Sequence, residues 1–226
     1  MITRPLIVVK CGGNPSVDPA GICADVARLV REGQSVLLAA LEVVILALAG
    51  GVKPRIVAEL SRPGVPSVGL TGLDGGMLHT RRKSAARSVV DGRTTLVRDN
   101  LSGRLSEVRT ELAETLLRFG FVPVVSPPTI DEHDHPVNVD SDRVAAALTV
   151  ALGADQLVLL TGTPGVLADP DDDTSVLSTY EMPATGAPGR FAGGGMALKL
   201  AAARGALAGG LRRVRNQQPA RKANRT

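Results

Sequence analysis

Four short segments of this 226-residue chain carry residue types that chemistry needs. Lys10-Cys11-Gly12-Gly13 closes a continuous apolar run. Glycines there let the backbone approach a ligand closely, and their N–H groups cradle an anion. A lysine adds a compact positive charge suited to a phosphoryl oxygen. The spacing is not that of a P-loop, and read alone the segment is equally a tight turn. Residues 69–76, GLTGLDGG, form a second glycine-rich loop after a strand. It reads either as a turn into a hairpin or as the wall of a small-ligand pocket. Asn138-Val139-Asp140-Ser141-Asp142 precedes an Ala-rich helix that starts at or near Asp142. Capping accounts for one Asp or Ser, not for Asn, Asp, Ser and Asp within five residues. An Asp so placed can hold lysines toward a phosphate, and Asn138 suits a polar substrate. In Gly193-Gly194-Gly195-Met196-Ala197-Leu198-Lys199, glycines lie at a helix N-terminus, a natural anion site. Lys199 falls in the first helical turn, where the helix dipole disfavours a cation. That placement suggests an anionic partner; an exposed lysine stem is the ordinary alternative.

Two glycine-rich loops with lysines, and an acid able to organise them, suit phosphoryl transfer. In that reaction positioning and charge neutralisation supply most of the catalysis. Covalent nucleophilic catalysis is not indicated: there is no G-x-S-x-G elbow, and Cys11 has no evident base. Asp131-Glu132-His133-Asp134-His135 reads as a solvated loop, because His-x-His alone is a weak ligand set. His79 has no companion ligand, so no metal site made of side chains is expected.

The elements that must position these segments alternate. Residues 6–9 form a continuous apolar run, as expected of a strand buried on both faces. Asp18 and Pro19 open a helix to about Arg31, which Gly33 stops. A strand at 35–38, a helix over 41–60 and a strand at 65–70 follow. Residues 77–98 hold two Val-, Thr- and Arg-rich runs around Asp91-Gly92, a strong hairpin signal. A helix over 107–119, with Leu112, Leu116 and Leu117 on one face, is closed by Gly120. Next come a strand at 121–125, a loop over 127–136, a helix over 142–152 and a strand at 156–160. Residues 169–192 read as surface; a helix then runs to about Leu207, with a last short strand at 212–215. This order predicts a three-layer αβα sandwich with a mainly parallel central sheet and an inserted β-hairpin. Ligands of such sheets bind beyond the carboxyl ends of the strands. That singles out the loops at 10–14, 71–76, 126–142, 161–165 and 193–199.

Hydrophobic residues at 44% and charged residues at 21% make a globular composition, not a disordered one. One Tyr, three Phe and no Trp argue against a stacking platform for nucleic acid, so no nucleic-acid partner is expected. Cys11 and Cys23 are too few for a disulfide framework, and a reducing, cytoplasmic setting is the expectation. Residues 36–49 are apolar except for Glu42, a run too short to span a bilayer, and no membrane partner is expected. The first five residues lead into no signal-peptide pattern. The net charge of +4 is uneven: no acid but nine bases follow Glu181. Such an end attracts phosphates or an acidic protein, although the last ten residues read as a solvated tail.

In this order the motifs resemble the amino acid kinase family. Within it they look most like acetylglutamate kinases and the LysW-type aminoadipate or glutamate kinases. The segments VVKCGG, GLTGLDGGMLHTRRK, FVPVVSPP, PVNVDSDRVAAAL, LVLLTGTPGVLADP and GGGMALKL carry the resemblance, from residue 6 to about 215. It implies one kinase domain over 1–226. Residues 1–125 would form mainly the substrate-side lobe, 126–215 mainly the nucleotide-side lobe, and 216–226 a basic tail. It implies ATP and Mg²⁺ as cofactors, a homodimeric assembly, and transfer of a phosphoryl group to a side-chain carboxylate. The acceptor would be an amino dicarboxylate, free and N-acylated or presented on a small acidic carrier protein.

By the same resemblance, Lys10 neutralises the transferring phosphoryl group, and Gly12 and Gly13 donate N–H groups to it. Asp142 orients the two lysines. Lys199 stabilises the β–γ bridge or the leaving group, and Asn138 holds the amino side of the substrate. Thr161, Gly162, Gly165, Asp169 and Gly195 lie along the nucleotide. Arg81-Arg82-Lys83 faces the acidic carrier. The family also carries a His-Gly-Gly loop after the second strand and an arginine segment beyond it. Here Val36-Leu37-Leu38-Ala39-Ala40 runs straight into Leu41-Glu42-Val43-Val44, so that segment is missing near 38–41. The end of the chain also departs from the family after Arg215. Half the expected anion cradle is then absent. The expectation is a chain of impaired activity, or a non-catalytic remnant that binds a nucleotide or a partner.

Overall fold

The computed structural model describes residues 5–11, 19–40, 53–82, 86–90, 93–97, 103–161, 165–169, 171–172, 174–183, 185 and 194–218. Strand β1 (Leu6–Cys11) lies inside a six-stranded sheet. Its neighbours are β2 (Ser35–Ala40) on one side and β11 (Gln156–Leu160) on the other. Leu6, Ile7, Val8 and Val9 are all buried, which explains an apolar run without alternation. The sheet continues through β8 (Val122–Ser126) to the edge strand β3 (Ser67–Thr71), and ends on the far side at β12 (Val214–Gln217). Every pairing in it is parallel. Cys11, Ala40, Thr71, Ser126, Leu160 and Gln217 therefore end their strands along one rim.

Successive side chains leave a strand on opposite faces. Ile7, Val9, Val36 and Val124 face helices α1 (Pro19–Arg31) and α2 (Lys53–Ser61), through Ile22, Val26, Ile56 and Leu60. Val8, Leu37, Leu157 and Leu159 share the other cluster with α3 (Glu111–Arg118), α4 (Ser141–Ala151) and α5 (Gly194–Ala208). Helices thus cover both faces, giving the three layers expected from the alternating pattern.

A smaller sheet holds β4 (Leu78–Arg82), β7 (Gly103–Val108), β9 (Thr129–Ile130) and β10 (Pro136–Val137). A hairpin, β5 (Ala86–Val90) with β6 (Arg93–Val97), stands apart. Its register pairs Val90 with Arg93, the two-residue connection that Asp91-Gly92 signals; those two residues lie outside the described ones.

Several boundaries differ from the sequence expectation. Glu107 and Val108 belong to β7, not to a helix, because they pair across to His79 and Leu78. The cross-strand ladder outweighs local helix propensity, and α3 begins only at Glu111. Residues 77–82 form a strand of the smaller sheet and not the first arm of the hairpin, which is narrower than expected. The 127–136 loop holds β9 and β10. In the expected 41–60 helix, residues 41–52 lie outside the described ones, and α2 starts at Lys53. Pro54 then falls in its first turn, where a missing N–H breaks no helical bond. The last strand lies two residues beyond 212–215.

Candidate active site

Helix α4 starts at the rim because β8, β9 and β10 deliver the chain there. Asp140 is its N-cap, its Oδ1 accepting from the Arg143 N–H at 3.0 Å. Capping is thereby satisfied two residues before Asp142, whose side chain is left for other work. Lys199 is the sixth residue of α5 and so lies in its second turn, not in the first as the sequence suggested; it donates from Nζ to Asp142 Oδ2 at 3.1 Å and Oδ1 at 3.3 Å. The two side chains are 13% and 7% exposed, so the pair is largely shielded from water. One turn in, the helix dipole weighs little on this cation, and a carboxylate from the neighbouring helix balances its charge.

The remaining residues singled out in the sequence fall as follows. Lys10 is the penultimate residue of β1, beside Leu159 and Ala39, which puts its backbone at the rim. Gly12, Gly13 and Gly162 lie outside the described residues. Asn138 is exposed, and its backbone carbonyl accepts from the Gly103 N–H at 2.9 Å. Thr161 is buried and donates its N–H to Gln217 O at 3.1 Å, tying β11 to β12 at the rim. A side chain at Gly165 would stand 3.0 Å from Val176 Cγ1, so glycine allows the close approach there. Asp169 sits in the loop bridged by Leu167 and Val176, its carboxylate accepting from the Asp171 N–H at 3.0 Å. Gly195 is exposed in the first turn of α5, with open space where a side chain would stand.

Beside the ion pair opens a trough of about 750 Å³, within the ~300–1,000 Å³ usual for small-molecule sites. Leu159, Val166, Tyr180, Met182, Lys199 and Asn216 are among its walls. Arg212, Arg213 and Arg215 also line it, against the single acid Glu181, so the trough favours an anion. Tyr180, Met182 and Asn216 escaped sequence reasoning. The segment 177–182 reads as surface, and no local pattern shows that it folds back along β12.

The GLTGLDGG loop is held by its own residues. Asp74 Oδ2 accepts from the Thr71 N–H at 2.6 Å and the Thr71 hydroxyl at 2.8 Å. A Cβ at Gly72 would meet Leu78 Cδ1 at 2.7 Å and Pro128 O at 2.8 Å, so the end of β3 packs directly on the chain after β8. Asp131 also organises a turn: its Oδ1 accepts the N–H groups of His133 and His135, both at 2.9 Å. Burial pushes this carboxyl up. The two backbone N–H groups and the nearby histidines outweigh that, and it stays below the usual aspartate range. Among the described residues, no group of three or more His, Cys, Asp or Glu could hold a metal ion. Among them, too, no helix is long and apolar enough to cross a membrane.

Fold and site together define a three-layer α/β protein whose cationic trough opens at the carboxyl rim of a parallel sheet. The amino acid kinase family model matches residues 34–215, and the chain belongs to that family. It is 32% identical to a [LysW]-aminoadipate kinase of Deinococcus radiodurans, covering 92% of this chain and 84% of that one. It is 40% identical to an acetylglutamate kinase of Methanopyrus kandleri over 76% of this chain and 69% of that one. The Deinococcus alignment runs over 246 positions, more than this chain's 226 residues, so that relative carries residues with no counterpart here. Among solved structures, N-acetylglutamate synthase from Neisseria gonorrhoeae superposes with a TM-score of 0.74 at 21% identity, over 96% of this chain and 55% of that one. Carbamate kinase from Giardia lamblia gives 0.62 at 14% identity, over 96% and 94%. These structures share the fold and differ in chemistry, so the fold alone does not choose the reaction.

Proposed function

We propose that this chain is an ATP-dependent kinase of arginine- or lysine-type amino acid biosynthesis. It transfers a phosphoryl group to the side-chain carboxylate of an N-acylated or carrier-bound amino dicarboxylate, acetylglutamate or aminoadipate, giving an acyl phosphate. The observation that carries this reading is the Lys199–Asp142 pair at the rim, opening onto a cation-lined trough. Lys199 stabilises charge on the leaving side of the transfer, and Asp142 fixes its ammonium group. Lys10, at the end of β1, supplies the facing charge to the transferring group, with Gly12 and Gly13 as N–H donors. Asn138 takes the amino side of the acceptor. Thr161, Gly162, Gly165, Asp169 and Gly195 border the nucleotide, so residues 126–215 are mainly its lobe and 1–125 mainly that of the acceptor.

Mg²⁺ neutralises charge on the nucleotide's phosphates when bound. Those oxygens and water suit it as ligands, because Asp142 is engaged by Lys199. The names of the aminoadipate kinase relatives support a carrier-bound acceptor. So do Arg81 and Arg82, which are exposed on β4, and Arg104, which pairs across from Arg81 on β7. An acidic carrier would relieve the repulsion between Arg81 and Arg104. Lys83 lies outside the described residues.

A second reading is a remnant that binds nucleotide or partner without turnover. The 246-position alignment favours it, since residues of the relative are missing here. Titration calorimetry with Mg·ATP, followed by a hydroxamate assay on the same sample, separates the two. Binding with turnover supports the kinase. Binding without turnover supports the remnant, and absence of binding overturns the kinase and a nucleotide-binding remnant alike.

A further inference from the structure

We propose that the Ser141 hydroxyl donates a hydrogen bond to an oxygen of the nucleotide's terminal phosphoryl group. The inference rests on the kinase reading above and adds a residue to its site. Ser141 is the first residue of α4 and is 1% exposed, yet its Oγ has no hydrogen-bond partner. A serine hydroxyl carries one donor and two acceptor sites, and burying it unsatisfied is costly. Two other buried hydroxyls, on the same helix and at the rim, are satisfied. Thr149, on the same helix, donates to Ala145 O at 2.7 Å, and Ser126 at the rim donates to Leu70 O at 3.2 Å.

The usual employment of a serine at this place, capping, is already taken by Asp140. Its other neighbour, Asp142, faces Lys199. Ser141 lies on a different stripe of the helix, with Ala145 and Leu148 at i+4 and i+7. Those two are fully buried in the cluster that holds Val8 of β1 and Leu37 of β2. The hydroxyl therefore belongs to the sheet-facing side of α4, at its rim end, where β1 finishes in Lys10 and Cys11. The N-terminus of an eleven-residue helix favours an anion at that point. A hydroxyl with no partner of its own then supplies the donor. Because Asp142 faces Lys199, which lines the trough, while Ser141 lies on the sheet-facing side of α4 near the end of β1, the group met by Ser141 is the one nearest the acceptor, the terminal phosphoryl.

The test is calorimetric binding of Mg²⁺ with β,γ-imido-ATP and with ADP, on wild type and Ser141→Ala, beside the melting temperature of each unliganded protein. The expected result is about tenfold weaker binding of the imido nucleotide, unchanged binding of ADP, and a melting temperature equal to or above wild type. Equal loss for both nucleotides, or a lowered melting temperature, assigns Ser141 a structural role and overturns the proposal. Unchanged binding of both overturns it while leaving the kinase reading intact. A wild type that binds neither nucleotide overturns the kinase reading and this inference with it. If Ser141→Ala does not fold, Ser141→Cys, near in size but a poor donor, is read by the same outcomes.

Discussion

Lys199 on α5 holds the carboxylate of Asp142 on α4 with one ammonium group reaching both oxygens, at 3.1 and 3.3 Å across 57 residues of sequence. Each side chain removes the other's reason to be in water. Neither helix would otherwise tolerate such a group at that depth, so the pair fixes the mutual position of two helices as well as two charges. The cycle of Asp142→Asn and Lys199→Met is expected to show a coupling of roughly 0.5–3 kcal/mol in urea denaturation. If the chain turns over, Asp142→Asn lowers kcat by ~10²–10³, the usual cost of losing one preorganised electrostatic element. A coupling near zero would mean the two groups merely lie side by side.

Asp140 and Asp142 are two residues apart and do different work. Asp140→Ala removes the N-cap of α4 and is expected to cost about 1 kcal/mol. Asp140→Ser, which keeps an acceptor, recovers most of it. Denaturant midpoints of the three proteins check this. A loss equal in the Ala and Ser variants would show that the charge, not the cap, matters.

Two glycines should respond to alanine with opposite signs. At Gly72 the new Cβ meets Leu78 Cδ1 at 2.7 Å and the Pro128 carbonyl at 2.8 Å, and backbone cannot swing aside. Gly72→Ala should destabilise by ~1–3 kcal/mol. Gly205 lies within α5 with nothing near the added atom, so Gly205→Ala should stabilise by roughly 0.5–1 kcal/mol. Melting temperatures moving in the same direction would contradict this.

Asp131 gives a pH dependence with a definite sign. Its carboxyl titrates below the ordinary 3.8 in the folded chain and near that value when unfolded. Below about pH 4 the unfolded state takes up more protons, so the stabilisation from Asp131 is complete at neutral pH and fades in acid. Asp131→Asn should therefore lower the melting temperature at pH 7 and differ less from wild type near pH 3. A gap that widens on acidification would refute the assignment.

Much of the architecture was legible because its signals are local. The unbroken run of residues 6–9 requires burial on both faces, and Asp91-Gly92 dictates a short connection. Glu107 shows the limit: its helical pattern is genuine, but pairing to His79 is a contact across 28 positions that no local window contains. The site divides in the same way. Asp142 stood out because capping needed only one acid, and the Lys199 contact then explains the second. Tyr180, Met182 and Asn216 were illegible, since nothing near them in sequence reveals the trough between 177–182 and β12.

Strand β1 sits in the middle of the main sheet, and one of its two partners, β11, is made long after it. Leu6 donates to the Asp155 carboxylate at 2.9 Å and accepts the Asp155 N–H at 3.0 Å, a closure across 149 residues. On the ribosome, the apolar edge of β1 must wait for the 149 positions between Leu6 and Asp155 before β11 can cover it. Such long-range closures fold slowly and leave sticky intermediates. A nascent chain halted before residue 156 would carry an open sheet edge and become a substrate for chaperones or for aggregation.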